Sequence, residues 1–160
     1  MNTPMNAEAR ERLRLDIRGL VQGVGFRPFI YKLAVACRLS GWAVNNCTGV
    51  RVEIEGTSTD LRRFLQTLPL QKPALVEIEY LASTPIPLQQ DSGFRIRASE
   101  TGSEVAAVLP PDLAPCEDCL QEICDPENRR FRYPFTNCTR CGPRFSIVER
   151  LPYDRARTAM

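Results

Sequence analysis

Two groups of residues in this 160-residue chain have types and spacings that could do chemistry. The first is the run Gly19-Leu20-Val21-Gln22-Gly23-Val24-Gly25-Phe26-Arg27. Glycines at 23 and 25 allow positive φ and close backbone approach. The successive N–H groups of Gln22, Gly23, Val24, Gly25 and Phe26 can then point inward as a concave anion nest. A helix beginning just after them would add its partial positive end. Arg27, beside that nest, can hold two phosphate oxygens at once. Together these form a phosphate site. A Gly-rich strand-to-helix turn with a solvent-facing arginine is the plainer alternative, and spacing alone leaves both open. The run is not a Walker loop, because no Gly-Lys-Ser/Thr follows, and it lacks the glycine spacing of the dinucleotide fingerprint. The second group is Cys116, Cys119, Cys138 and Cys141, in the spacing C-x2-C-x18-C-x2-C. Each pair can chelate one ion through a tight knuckle, and four thiolates suit tetrahedral Zn²⁺. With all four positions filled, the metal would be structural. Free thiols, an Fe–S cluster and a redox C-x-x-C are weaker readings. Gly142 is expected to let an N–H donate to sulfur without a Cβ clash.

The rest of the composition narrows the chemistry. There is no histidine. Imidazole bases, Ser–His or Cys–His nucleophile pairs and His metal ligands are therefore excluded. The formal charge of +2 suggests neither a nucleic-acid coat nor a membrane-surface protein. No segment approaches 18 consecutive apolar residues, and Met1–Asp16 has no apolar signal core. A cytoplasmic protein with reduced or metal-bound cysteines is expected. The basic-aromatic tract Asn128-Arg129-Arg130-Phe131-Arg132-Tyr133 reads as a packing and solvated face rather than a nucleic-acid site.

These residues need elements to position them. Cysteine and proline are unevenly spread and divide the chain into a domain at 8–98, a Pro-rich connector at 99–115 and a cysteine module at 116–160. Leu13, Leu15 and Ile17 alternate with charged residues, so Arg12–Gly19 reads as a half-buried strand. Phe26, Ile30, Leu33 and Cys37 recur at helical spacing and predict a helix from about Pro28 to Leu39. Cys37 then falls in the core. Gly41–Asn46 and Val50–Glu55 read as two strands. Leu61, Phe64, Leu65 and Leu68 mark a second helix, capped by hydroxyls among Thr57, Ser58 and Thr59 and stopped by Pro69. Leu75–Leu81 and Phe94–Ala98 complete the set. The order is β-α-β-β-α-β plus one strand: an α+β, ferredoxin-like split-βαβ plan. That plan serves many functions and decides none. Cys124 reads as a spare thiol, and no role is read for Cys47.

Ile17-Arg18-Gly19-Leu20-Val21-Gln22-Gly23-Val24-Gly25-Phe26-Arg27 resembles the signature of the acylphosphatase family. Gly41-Trp42-Ala43-Val44-Asn45, with Gly49 four residues later, resembles that family's second signature. The resemblance implies that Arg27 binds the phosphoryl group and that Asn45 positions the attacking water. It implies no metal in the reaction and no covalent phosphoenzyme. Without the resemblance, Asn45 reads as a turn asparagine. Asn46 is then its structural neighbour on the opposite face. Val44 and Arg51 differ from the stand-alone acylphosphatase pattern without touching either implied catalytic position.

An acylphosphatase-like region followed by this cysteine module resembles the start of the hydrogenase maturation carbamoyltransferase (HypF) family. Pro110–Cys116, Tyr133–Cys138, Cys141–Arg144 and Leu151–Arg155 carry that likeness. The resemblance implies carbamoyl phosphate as the substrate of the first domain. In such proteins downstream domains adenylate the carbamate with ATP. They then pass the carbamoyl group to an acceptor cysteine of a hydrogenase maturation partner. Those domains are not expected within this chain, which reads as the front of a longer protein. A zinc-stabilised interaction module with a vestigial pocket, and a general acylphosphatase, are the competing readings.

Overall fold

The computed structural model describes residues 9–100 and 106–159. Positions 101–105 of the connector, the first eight residues and Met160 lie outside the described residues. The elements are β1 (Arg10–Leu20), α1 (Phe26–Ala36), β2 (Ser40–Asn46), β3 (Gly49–Thr57), α2 (Ser58–Gln71), β4 (Glu77–Ile86), β5 (Phe94–Ile96) and α3 (Glu117–Cys124). The sheet order is β4-β1-β3-β2-β5. β1 pairs antiparallel with β3 and β4, and β2 antiparallel with β3 and parallel with β5. This is the expected split-βαβ plan, with both helices on one face.

The core explains the order. Leu15 and Ile17 of β1, Ala43 of β2 and Val50, Val52 and Ile54 of β3 line the covered face. Phe26, Ile30, Leu33 and Ala34 of α1 and Leu61, Phe64 and Leu68 of α2 close over them. Each large side chain buried there contributes about 1.5–3 kcal/mol against leaving it in water. Cys37 is buried in this core. The register Ile17↔Val50 and Asn45↔Val50 sets the end of β1 and the end of β2 level, on either side of β3. That corner carries the glycine turn and Asn45.

Several boundaries differ from the pattern. α1 starts at Phe26 because Gly25, at φ 76°, caps it in the left-handed region. It ends at Ala36, short of Leu39, because Arg38 adopts φ 59°. The N–H of Leu39 then returns to Ala34 O and that of Arg38 to Val35 O, a Schellman closure with arginine where glycine is usual. Pro69 does not stop α2, which runs to Gln71. A proline in the last turn removes one N–H and leaves the rest of the helix intact. Thr57 caps α2: its Oγ1 accepts the Asp60 N–H at 3.2 Å, and its hydroxyl donates to the Asp60 carboxylate at 2.8 Å. β4 extends to Ile86, well past Leu81, as an edge strand with Pro85 near its end.

After β5 the chain keeps to the β2 edge. Arg97 N–H donates to Ala43 O, Glu100 N–H to Asn45 O, and the N–H groups of Ala106 and Ala107 to Cys47 O, all within 2.9 Å. The connector is thus tied to the sheet at both sides of its undescribed stretch.

Candidate phosphate site and cysteine cluster

The glycine turn leaves β1 at Leu20 and enters α1 at Phe26. Gly23 and Gly25 have φ of 75° and 76°, the conformation the nest needs. A Cβ on Gly23 would lie 2.7 Å from Pro143, and one on Gly25 2.8 Å from Thr139. Glycine is therefore required twice over, by backbone angle and by the approach of the cysteine module. The N–H groups of Gly23, Val24 and Gly25 have no hydrogen-bond partner among the described residues.

Gln22 is 1% exposed and shapes the turn from below. Its Nε2 donates to Asn46 O at 2.7 Å and to Gly49 O at 2.8 Å. Asn46 is the structural neighbour expected of it. Its Oδ1 accepts from the N–H groups of Thr48 and Gly49 and from the Thr48 hydroxyl, at 2.9–3.0 Å. Asn45 points the other way and is 1% exposed.

Arg27 and Asn45 converge. Asn45 Nδ2 donates to the main-chain oxygen of Tyr153 at 2.9 Å, and Arg27 Nη2 donates to the same oxygen at 3.3 Å. Arg27 Nη1 makes a long contact of 3.5 Å to Ser99 Oγ. Burial lowers the Arg27 pKa from its usual value, and Asp154 and Tyr153 pull partly against that fall. The guanidinium remains a cation at any working pH. Tyr153 N–H donates to Gln22 Oε1 at 2.8 Å, and the Ser99 hydroxyl donates to the Asp154 carboxylate at 3.1 Å. A cavity of about 320 Å³ opens beside this cluster, between Gly23, Gly25 and Arg27 on one wall and Asn137, Thr139 and Asp154 on the other. Ser99, Tyr153 and Asp154 had no assigned role from sequence. Tyr153 acts through its main chain and Ser99 and Asp154 arrive by tertiary approach, neither of which leaves a spacing signal.

The four cysteines come together as their spacing predicts. Their sulfurs all lie within 4.8 Å of one another. Cys116–Cys138, Cys119–Cys141 and Cys138–Cys141 are separated by 3.5, 3.8 and 3.9 Å. Four sulfurs at about 2.3 Å from a central zinc would sit about 3.8 Å apart, so the cluster fits that ion. Cys116 caps α3 and Cys119 lies in its first turn. Cys138 N–H faces Cys141 Sγ and Arg140 N–H faces Cys138 Sγ, each at 3.4 Å. N–H donation to sulfur is thus present around the knuckle, and the Gly142 N–H goes elsewhere. It closes the knuckle on Cys138 O at 2.8 Å, with Gly142 at φ 72°. Arg144, which sequence did not single out, is buried and reaches Cys141 Sγ at 3.5 Å. Burial pushes the Cys141 thiol up, but nearby main-chain donors and Arg144 outweigh it and bring it to about 6. Burial and the neighbouring thiols push Cys119 up instead. Cys124 is exposed and outside the cluster.

Residues 13–96 match the family model described as Acylphosphatase, which is more than half the chain. The chain belongs to the acylphosphatase family. Residues 116–148 match a second model, described as HypF finger. An acylphosphatase relative from Leuconostoc mesenteroides is 35% identical over 86 residues, covering 53% of this chain and 96% of that protein. Carbamoyltransferase HypF of Synechocystis sp. is 46% identical over 146 residues, covering 91% of this chain and 19% of that protein. A full-length HypF crystal structure in the phosphate- and nucleotide-bound form aligns with TM-score 0.87 at 40% identity, over 98% of this chain and 21% of that one. The chain thus joins an acylphosphatase domain to a HypF finger, and it spans about a fifth of the length of the carbamoyltransferases it matches. Among the described residues, no helix is long and apolar enough to cross a membrane.

Proposed function

We propose that this chain binds and hydrolyses carbamoyl phosphate, as the acyl-phosphate-handling part of a carbamoyltransferase. One observation carries the reading. Arg27 and Asn45, from different elements, direct their donors at a single oxygen position beside the glycine turn. Arg27 and the N–H groups of the turn would hold the phosphoryl oxygens, and Asn45 would orient water on the in-line axis. Water attacks phosphorus, and the P–O bond to the carbamoyl group breaks with its electron pair. Carbamate leaves as an anion and needs little acid help, consistent with a histidine-free site. Rate acceleration is then mostly positioning and charge stabilisation.

The HypF finger would carry structural zinc on Cys116, Cys119, Cys138 and Cys141, holding the finger in shape without joining the reaction. By likeness to the carbamoyltransferases, carbamate would pass to ATP-using domains elsewhere in the longer protein. From there it would reach an acceptor cysteine of a hydrogenase maturation partner in the cytoplasm. The domain division at 8–98, 99–115 and 116–160 belongs to this same reading.

Phosphate release from carbamoyl phosphate and acetyl phosphate tests it, on the full chain and its Arg27→Ala variant. The expected outcome is faster release from carbamoyl phosphate and a loss of about 100- to 1,000-fold in Arg27→Ala. Equal turnover by that variant would remove Arg27 from the reaction. The engagement of Arg27 and Asn45 by Tyr153 favours one second reading, an interaction module with a vestigial pocket. Release from neither substrate by a folded, zinc-loaded chain would select it.

A further inference from the structure

The two side chains that would serve the acyl phosphate are engaged by the chain's own backbone. Tyr153 O accepts from Asn45 Nδ2 at 2.9 Å and Arg27 Nη2 at 3.3 Å. A water held in line by Asn45 Nδ2 and a phosphoryl oxygen held by Arg27 Nη2 would both compete with this one carbonyl. Tyr153 is gripped at its other end as well, through its N–H to Gln22 Oε1 at 2.8 Å. Gln22 is in turn fixed by Asn46 O and Gly49 O. Asp154 adds a carboxylate within electrostatic reach of Arg27, held by Ser99.

We infer that Leu151–Asp154 is an intramolecular occupant of the phosphate site, and that an acyl phosphate binds only as this segment withdraws. The inference rests on reading the glycine turn as a phosphate site. The segment is extra to the family's own architecture. The Leuconostoc acylphosphatase is aligned over 96% of its length against only 53% of this chain. The occupant is also displaceable. A neutral carbonyl gives Arg27 a weaker bond than a phosphate dianion, which brings a full opposite charge and can take two guanidinium N–H groups at once. Asn45 Oδ1 is buried with no hydrogen-bond partner among the described residues, an acceptor that the closed arrangement leaves unsatisfied. Tethering works the other way, giving the segment an effective concentration of about millimolar order. The two act in opposite directions, which makes the segment a gate. The cavity of about 320 Å³ between the turn and the finger lies directly beside it.

Amide hydrogen exchange on the full zinc-loaded chain tests this, with inorganic phosphate as the probe. Phosphate should slow exchange at Gly23, Val24 and Gly25 and speed it at Tyr153, whose N–H leaves Gln22. Ser99→Ala removes the Ser99–Asp154 hydrogen bond without changing charge. It should tighten phosphate binding about fivefold, one hydrogen bond's worth. Slowed exchange at the glycine turn with Tyr153 still protected would make the segment a fixed wall. It would overturn the gate and leave the phosphate reading standing. Weaker phosphate binding by Ser99→Ala would do the same, since a part of the site was then lost. No change at the turn in either protein would overturn the phosphate reading itself, and the gate with it.

Discussion

Arg144 is 7% exposed and spends its guanidinium on Thr136 O at 2.7 Å, Leu113 O at 3.1 Å and Cys141 Sγ at 3.5 Å. A zinc ion on four thiolates leaves two excess negative charges in a partly buried place. Arg144 supplies a cation there and ties three chain segments around the sulfurs. Arg144→Leu is expected to weaken zinc binding about 10- to 100-fold, and lysine will not rescue it, because one ammonium cannot span the fork. Competition with a chelator measures this; unchanged affinity would reduce Arg144 to packing. At this scale the sequence was readable where a residue type is rare in its role. Gly23 and Gly25 showed their backbone, and four cysteines showed their cluster. Asn45 was separable from Asn46 only through its likeness to a family signature. Arg144 looked like any other arginine, because its partners are mainly carbonyl oxygens, which every residue possesses.

Elements were legible through periodicity, and their ends were not. The strand read from Leu13, Leu15 and Ile17 is present, yet its neighbour Arg12 is buried against Glu53, Glu55 and Asp91 at 2.7–2.9 Å. This cluster pins the β4–β5 connection to β1 and β3, since Glu55 also accepts the N–H groups of Gln89 and Gln90. Nothing in a period-2 pattern announces such a buried ion group. Its electrostatics give a signed expectation. Burial pushes the Glu55 carboxyl up, but the Gln89 N–H and Arg12 bonds outweigh it and hold the pKa below 4.5. A carboxyl with a depressed native pKa stabilises the fold fully above its unfolded value. That stabilisation is lost as pH falls through the native value. Glu55→Gln is therefore expected to be less stable than the wild type at neutral pH by about 1–3 kcal/mol. The gap should shrink in acid below 4.5. Urea midpoints at neutral and acid pH decide it. A gap that stays constant would mean that Glu55 acts by shape rather than charge.

At the scale of the whole molecule, the two parts draw on different sources of stability. Among the described residues, the buried apolar core cluster runs from Leu15 to Phe94, and the finger contributes none of it. Within 116–148 the finger buries Cys119, Thr136, Cys141, Gly142, Pro143 and Arg144, a set with little hydrocarbon to drive folding. Metal binding must supply what burial does not, and structural zinc typically supplies about 10–16 kcal/mol in small finger peptides. The finger nevertheless touches the other part at its most constrained point, with Pro143 against Gly23 and Thr139 against Gly25. Removing zinc from the full chain is therefore expected to unfold the finger and leave the sheet with its own cooperative thermal transition. Thr139 and Pro143 would withdraw, and amide exchange at Gly23, Val24 and Gly25 would rise towards that of an open turn. Lowering the pH should help the chelator, because the thiolates must be protonated as the metal leaves. Far-UV circular dichroism and site-resolved exchange on the chelated chain measure the two parts separately. Loss of the sheet signal together with the zinc would show that the core from Leu15 to Phe94 does not stand without the finger.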